Sequence, residues 1–323
     1  MKAVYDLEIK KRHLIDYIYL LRVAKFSKRG IIKLFKDPSM IISKFKEYGY
    51  DKVKGFLLSN KNELDYYKKF EELFDESYLS DNKYKEIENM VDFCITNNIQ
   101  IYKPYDGKMP KIFDKIDDNF KDLIFVKGNI LDSDIKSYSI CGSRNPTPEA
   151  LEKTRKIAYY LSSNDLTLIN GFARGIDIEA FKGALDAKGR YIGVLGSGIE
   201  NIYPPEHKKF EKIIIKNGAI ISQRLIWKRV NKVSLQMRNR FSSQLSLGTI
   251  FIEGNYKSGT KWQLKFAKEV NKPIFYLEPE NWHHQNSHVP KIVKSEGGYK
   301  INKDLSNLEE VKSILLEAYL KIK

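Results

Sequence analysis

Two segments decide the fold: Ile140-Cys141-Gly142-Ser143-Arg144 and, one helix length later, Leu166-Thr167-Leu168-Ile169-Asn170-Gly171-Phe172-Ala173-Arg174-Gly175-Ile176-Asp177. Each opens as an apolar run, stops in glycine with an arginine close by, and gives way to a helical pattern. A strand that turns through glycine into a helix aims backbone N–H groups and a fixed cation at the helix N-terminus, where an anion is stabilised. Two such units in tandem point to a phosphate or phosphodiester ligand at the ends of a parallel sheet.

The pattern extends outward from these segments. Strand candidates are Tyr138–Cys141, Leu166–Asn170, Tyr191–Leu195, Ala219–Ser222, Thr249–Glu253 and Pro273–Leu277, each separated from the next by a helix-length segment. The runs are continuously apolar rather than alternating, which implies burial on both faces. Ile99–Tyr102 and Leu123–Val126 are shorter β-type runs ahead of them. The fold class is α/β, a doubly wound sheet with ligands at the carboxyl ends of its strands. Upstream the grammar is helical. Leu14, Ile15, Ile18 and Leu21 form one apolar stripe, and Ile31–Phe35, Met40–Phe45 and Leu64–Phe74 continue it, with a turn at Gly49. The expected division is an N-terminal helical domain over 1–98, the α/β core over 99–282, and a tail over 283–323 with one amphipathic helix opened by a Ser306–Glu309 capping box.

Composition narrows the class of ligand. The chain has 323 residues, 42% hydrophobic and 12% aromatic, enough for a full core, and a net charge of +15 that favours polyanions. Charge alone does not separate a functional surface from a coding bias toward Lys, Asn, Ile and Tyr, so its placement carries the argument. Cys94 and Cys141, the only two cysteines, argue against a disulfide framework and fit a reducing cytoplasm. No membrane span or leader pattern is read, and His283, His284 and His288 lack the spacing of a metal site. No cofactor or metal is expected.

Arg144 and Arg174 are planar five-donor forks suited to phosphate, while Gly142 and Gly171 either serve that ligand or only make the turns. Asp177 reads as a cap or an orienting partner for an arginine. The run Gly193–Gly198 resembles a dinucleotide fingerprint but fails in context, because Tyr203-Pro204-Pro205 falls where the phosphate-binding helix belongs. Arg224, Lys228, Arg229, Lys232, Arg238 and Arg240 lie in one stretch without an acidic residue, with Trp227 among them. Cations interleaved with an aromatic face suit single-stranded nucleic acid. Lys257-Ser258-Gly259-Thr260 precedes a helix carrying Lys261, Trp262 and Lys265, a further anion-binding helix start. No paired carboxylates, nucleophile elbow or metal spacing points to catalysis.

Taken in order, C-G-S-R-N-P, G-F-A-R-G-I-D, Y-P-P-E, M-R-N-R, K-S-G-T and A-K-E-V-N-K-P-I-F resemble the DNA-processing protein A (DprA/Smf) family over residues 100–280. That resemblance implies an extended Rossmann-like fold, a homodimer, single-stranded DNA as ligand, delivery of that DNA to the RecA recombinase in natural transformation or recombination, and no enzymatic activity. Matched by position, it gives Gly142, Ser143, Arg144, Gly171, Arg174, Arg238, Arg240, Lys257 and Ser258 as DNA contacts, to which Thr260 and Trp262 are added from the residues themselves. The chain departs from the family where Glu-Tyr-Pro is replaced by Gln223-Arg224-Leu225 and S-G-S-L-I-T-A by S-G-T-K-W-Q-L, which places Lys261 and Trp262 on a helix start that is usually apolar. Residues 1–98 occupy the place of the family's sterile-alpha-motif-like domain. A second reading is a nucleotide-sensing or nucleotide-cleaving Rossmann-like enzyme in a defence system; a third is a partner-docking module.

Overall fold

The computed structural model describes residues 2–22, 82–104 and 109–321. The chain divides into two compact units, 1–97 and 98–323. In the first, helix α1 (Lys2–Arg22) packs against α2 (Asn82–Thr96). Ile15 and Ile18 are fully buried, and the Tyr84 hydroxyl donates to the buried Asp16 carboxylate at 2.8 Å. The helices expected over 31–74, and the turn at Gly49, lie outside the described residues.

In the second unit the described residues form one nine-stranded sheet in the order β1-β2-β6-β5-β4-β3-β7-β8-β9. The strands are β1 (Ile99–Tyr102), β2 (Ile124–Gly128), β3 (Ser137–Cys141), β4 (Thr167–Asn170), β5 (Tyr191–Leu195), β6 (Gly218–Ser222), β7 (Thr249–Phe251), β8 (Ile274–Leu277) and β9 (Tyr299–Ile301). From β6 through β9 all pairings are parallel, while β1 and β2 join antiparallel at one edge. The expected doubly wound Rossmann-like architecture is present. β3, β4, β5 and β6 are buried along their whole length, as continuous apolar runs require.

Helices cover both faces. On one lie α3 (Pro148–Ser163), α4 (Ile176–Asp186), α5 (Glu211–Lys216) and α9 (Leu308–Leu320); on the other lie α6 (Lys232–Leu245), α7 (Thr260–Glu269) and α8 (His288–Ser295). Period-two alternation sorts the strand residues: Ile169, Ile192, Val194 and Ile221 pack with Phe241 and Leu245 of α6, whereas Tyr191 meets Phe172 and Phe181 on the opposite face. From β3 the chain winds outward through β4, β5 and β6, then α6 returns it across the sheet to β7. The winding direction therefore reverses between β3 and β7, and the loops that follow these strands flank the switch point.

The tail differs from its expected form. Besides α9 it contains α8 and β9, and β9 extends the sheet by pairing with β8. The Ser306–Glu309 capping box does not form: α9 starts at Leu308 behind Asn307, and the Ser306 hydroxyl donates to Asp304 at 2.8 Å. A nearer carboxylate satisfies Ser306 before the helix can, since short polar side chains bond locally.

Candidate functional site

After β3 the backbone turns through Gly142 into Ser143 and Arg144. Thr147 caps α3, its hydroxyl oxygen accepting the Ala150 N–H at 3.2 Å, with Pro148 in the first helical turn. Glu253, just past β7, clamps this loop by accepting from the Thr147 N–H at 3.0 Å and the Thr147 hydroxyl at 2.9 Å. The clamp leaves Arg144 exposed at the strand ends.

The turn after β4 is tighter. Asn170 Oδ1 accepts from the Phe172 N–H at 3.0 Å and the Tyr191 hydroxyl at 2.7 Å, and its Nδ2 donates to the Asp177 carbonyl at 2.9 Å. Gly175 has φ 74°, and a Cβ there would overlap the Ser143 carbonyl, so glycine is what allows the first two loops to touch. Gly171 serves another purpose. The Arg238 guanidinium lies against it and Nη1 donates to its carbonyl; a Cβ would occupy the same space.

Arg238 reaches this point from the middle of α6, whose start is fixed by Asn231 and Ser234 in a reciprocal cap of 2.7 and 2.9 Å. The arginine is only 8% exposed, and its Nε is buried with no hydrogen-bond partner among the described residues. Burial pushes its pKa down, and the Asp177 carboxylate opposes that shift. Burial pushes Asp177 up in turn, with Arg238 and the Ala173 N–H, at 3.3 Å, holding it toward the charged form. Asp177 thus fastens its own loop through the Ala173 N–H and influences Arg238 electrostatically. Arg144, Arg174, Arg238, Gly171, Tyr203 and Leu235 line one open cleft. At its rim Arg174 Nε donates to Glu206, which lowers the Glu206 pKa.

The remaining predicted positions fall elsewhere. Ser143 is buried, its hydroxyl oxygen accepting the Asn145 N–H at 3.1 Å and shaping the loop beneath Arg144. Ser258 and Thr260 bond each other at 2.7 Å, and the Thr260 hydroxyl donates to the Gly142 carbonyl at 3.3 Å, so this pair fastens the β7 loop to the β3 loop. Lys257 stands exposed beside Tyr256. Arg240 is turned away from the cleft and lies between the Phe120 and Phe266 rings. The basic run is accordingly split. Lys228, Arg229 and Lys232 are exposed with Trp227, while Arg224, Arg238 and Arg240 are partly or wholly buried. Gly198 belongs to no dinucleotide loop: its N–H donates to the Lys228 carbonyl at 2.7 Å, holding the basic loop against the turn after β5. His207 is a core residue whose Nδ1 bonds the Phe172 carbonyl at 3.0 Å, and His284 Nδ1 accepts from the Asn286 N–H. Sequence reasoning missed Glu206 and Glu253 as partners. Each acts on a residue far along the chain, and no local spacing connects them.

A mostly parallel open sheet with three guanidinium groups gathered at a cleft by its strand ends defines a Rossmann-like protein. Residues 100–310 match the model of the DNA recombination-mediator protein A family, and the chain belongs to that family. It is 34% identical to protein Smf of Synechocystis sp. over 143 residues, 44% of this chain and 36% of that one. To DNA processing protein DprA of Bacillus subtilis it is 30% identical over 154 residues, 47% of this chain and 52% of that one. The chain thus spans about a third to a half of these curated relatives. A structure of DNA processing protein A from Helicobacter pylori, described for its single-stranded DNA binding mode, superposes with TM-score 0.58 at 26% identity, covering 69% of this chain and 99% of that one. DprA of Streptococcus pneumoniae shares the fold with TM-score 0.57 at 24% identity, over 68% and 77% of the two chains.

Proposed function

We propose that this chain binds single-stranded DNA across the carboxyl ends of its strands without catalysing a reaction on it. The observation that carries the reading is Arg238: a buried guanidinium with an unpaired donor, held beside Arg144 and Arg174 in a cleft open to solvent. A preorganised cation of that kind binds phosphate with little further ordering. Cations continue past the cleft, with Lys257 following β7 on one side and the Lys228–Arg229 loop following β6 on the other. Four strand spacings separate β6 from β7, roughly 19 Å, a length that suits a polynucleotide better than a mononucleotide. Trp227 on the same basic loop is exposed, and single strands stack their bases on exposed aromatic residues among cations. The Helicobacter pylori relative, described as a single-stranded DNA binder, supports the same choice.

The family resemblance extends the reading to a homodimer that delivers its strand to RecA. Sedimentation tests the dimer, and RecA filament formation on protein-coated oligo-dT tests the delivery. The binding itself is tested by titrating labelled oligo-dT, duplex DNA and ATP. Oligo-dT binds tightest on this account; tightest binding to ATP would favour the nucleotide-sensing enzyme instead.

A further inference from the structure

Arg240, expected at the DNA, is a rung in a column of rings. Its guanidinium lies 3.9 Å from the Phe120 centroid and 4.3 Å from that of Phe266, and Glu269 pairs with it at 3.0 Å. Phe266 stacks in turn on Trp262, with centroids 6.1 Å apart and planes 27° from parallel. Each member fixes the next, and the column ends at the surface, where Trp262 is 40% exposed. The inward face of α7 is already filled by Thr260, Gln263, Leu264 and Ala267, so the core does not need this indole. Lys261 and Lys265 flank it, both exposed; the Lys265 ammonium lies over the ring, 5.6 Å from its centroid, and reaches Glu269 at 3.9 Å, so an exposed, mobile side chain gives way to an incoming base.

We infer that Trp262 is a nucleobase platform: one unpaired base stacks on it as the next member of the Phe120–Arg240–Phe266–Trp262 column, and Lys261 and Lys265 meet the phosphates on either side. An exposed ring that is already ordered gives up little side-chain freedom on binding a flat ligand. The location suits the same strand as the cleft. Asn239 of α6 donates to the Gly259 carbonyl at 3.4 Å, which sets the start of α7 beside the helix that carries Arg238. Packed helix axes lie about 8–10 Å apart, within reach of neighbouring nucleotides. The inference rests on the single-stranded DNA reading of the cleft and adds a subsite that reads bases where the cleft reads phosphate.

The test uses the full chain with Trp227→Phe and Trp282→Phe, leaving Trp262 as the single tryptophan. Two ligands of equal length are titrated, oligo-dT and an abasic deoxyribose-phosphate oligomer, with anisotropy of a label on each reporting binding. Oligo-dT quenches Trp262 and the abasic oligomer does not. In the otherwise native chain, Trp262→Ala weakens oligo-dT binding by roughly 5- to 150-fold, the effect of losing one base–aromatic stack. It leaves the abasic oligomer and the thermal midpoint nearly unchanged, and Trp262→Phe keeps most of the oligo-dT affinity. Saturating oligo-dT binding with unchanged Trp262 emission and an unaltered Trp262→Ala affinity overturns the platform while leaving the cleft intact. Loss through Trp262→Ala with no loss through Arg144→Ala overturns the cleft instead, and absence of any oligo-dT binding overturns both.

Discussion

Arg144, Arg174 and Arg238 have the same side chain and three different relations to the protein, so their substitutions separate. Arg238 is buried and donates to the Gly171 carbonyl, so its removal leaves that carbonyl unpaired and the space against Gly171 empty, a loss of about 1–3 kcal/mol. Arg238→Leu is therefore expected to unfold at markedly lower urea concentration and to lose DNA binding as well. Arg144 is exposed, so Arg144→Ala should weaken oligo-dT binding at least tenfold with the unfolding midpoint unchanged. Equal loss of stability and binding would make Arg144 a structural residue. Arg174 is held by Glu206 at the rim, and an incoming phosphate must compete with that carboxylate. Glu206→Gln frees the guanidinium and should tighten oligo-dT binding by roughly two- to fivefold, the modest size expected of a solvent-screened pair. Weaker binding by Glu206→Gln would show that the carboxylate positions Arg174 rather than occupying it.

At the scale of the element, α6 connects the two halves of the sheet and is fixed at both ends. Its C-terminal carbonyls are met by two half-buried lysines. Lys115 donates to Leu245 at 2.9 Å and to Ile135 at 2.6 Å, and Lys272 donates to Ser243, Gln244 and Ser246. Burial lowers the Lys115 pKa to about 7 from an ordinary 10.5, and Lys272 is lowered well below its ordinary value too. Between those limits the unfolded chain binds the proton that folded Lys115 has released. The cost of the buried charge is thus fully present below pH 7 and is relieved as pH rises toward 10.5. A neutral amine still has two N–H groups for its two carbonyls, so the cap survives the change. Native protein should gain stability relative to Lys115→Met as pH rises from about 7 to 9.5, read from paired urea titrations; parallel profiles would contradict it. Helices and strands of this kind were readable because apolar runs and glycine stops are local signals. Ile99–Tyr102 and Tyr191–Leu195 match their strands to the residue. The edge strand β9, Tyr-Lys-Ile, has two exposed residues out of three and no apolar run to announce it. The split of the basic run was likewise hidden, because Arg238 and Arg240 look alike in sequence and differ only in which side of α6 each faces.

For the whole molecule, placement of charge matters more than its net value of +15. Arg144, Arg174, Arg238 and Lys257 lie on loops that follow β3, β4 and β7 or on the helix packed beneath them, all toward one end of the sheet. The fold was legible because it depends on the glycine–arginine turns, from which the proposed ligand class was also read; Glu206 and Glu253, which adjust those turns, act across the tertiary structure and left no local trace. The central claim is that a phosphodiester strand lies along these cations, and the salt dependence of oligo-dT binding tests it most directly. Neutralising about four phosphates releases counterions worth a log–log slope of about −3 on single strands, and Arg144→Ala should make the slope shallower by about 0.7. A flat salt response, or a slope unchanged by Arg144→Ala, would contradict the account.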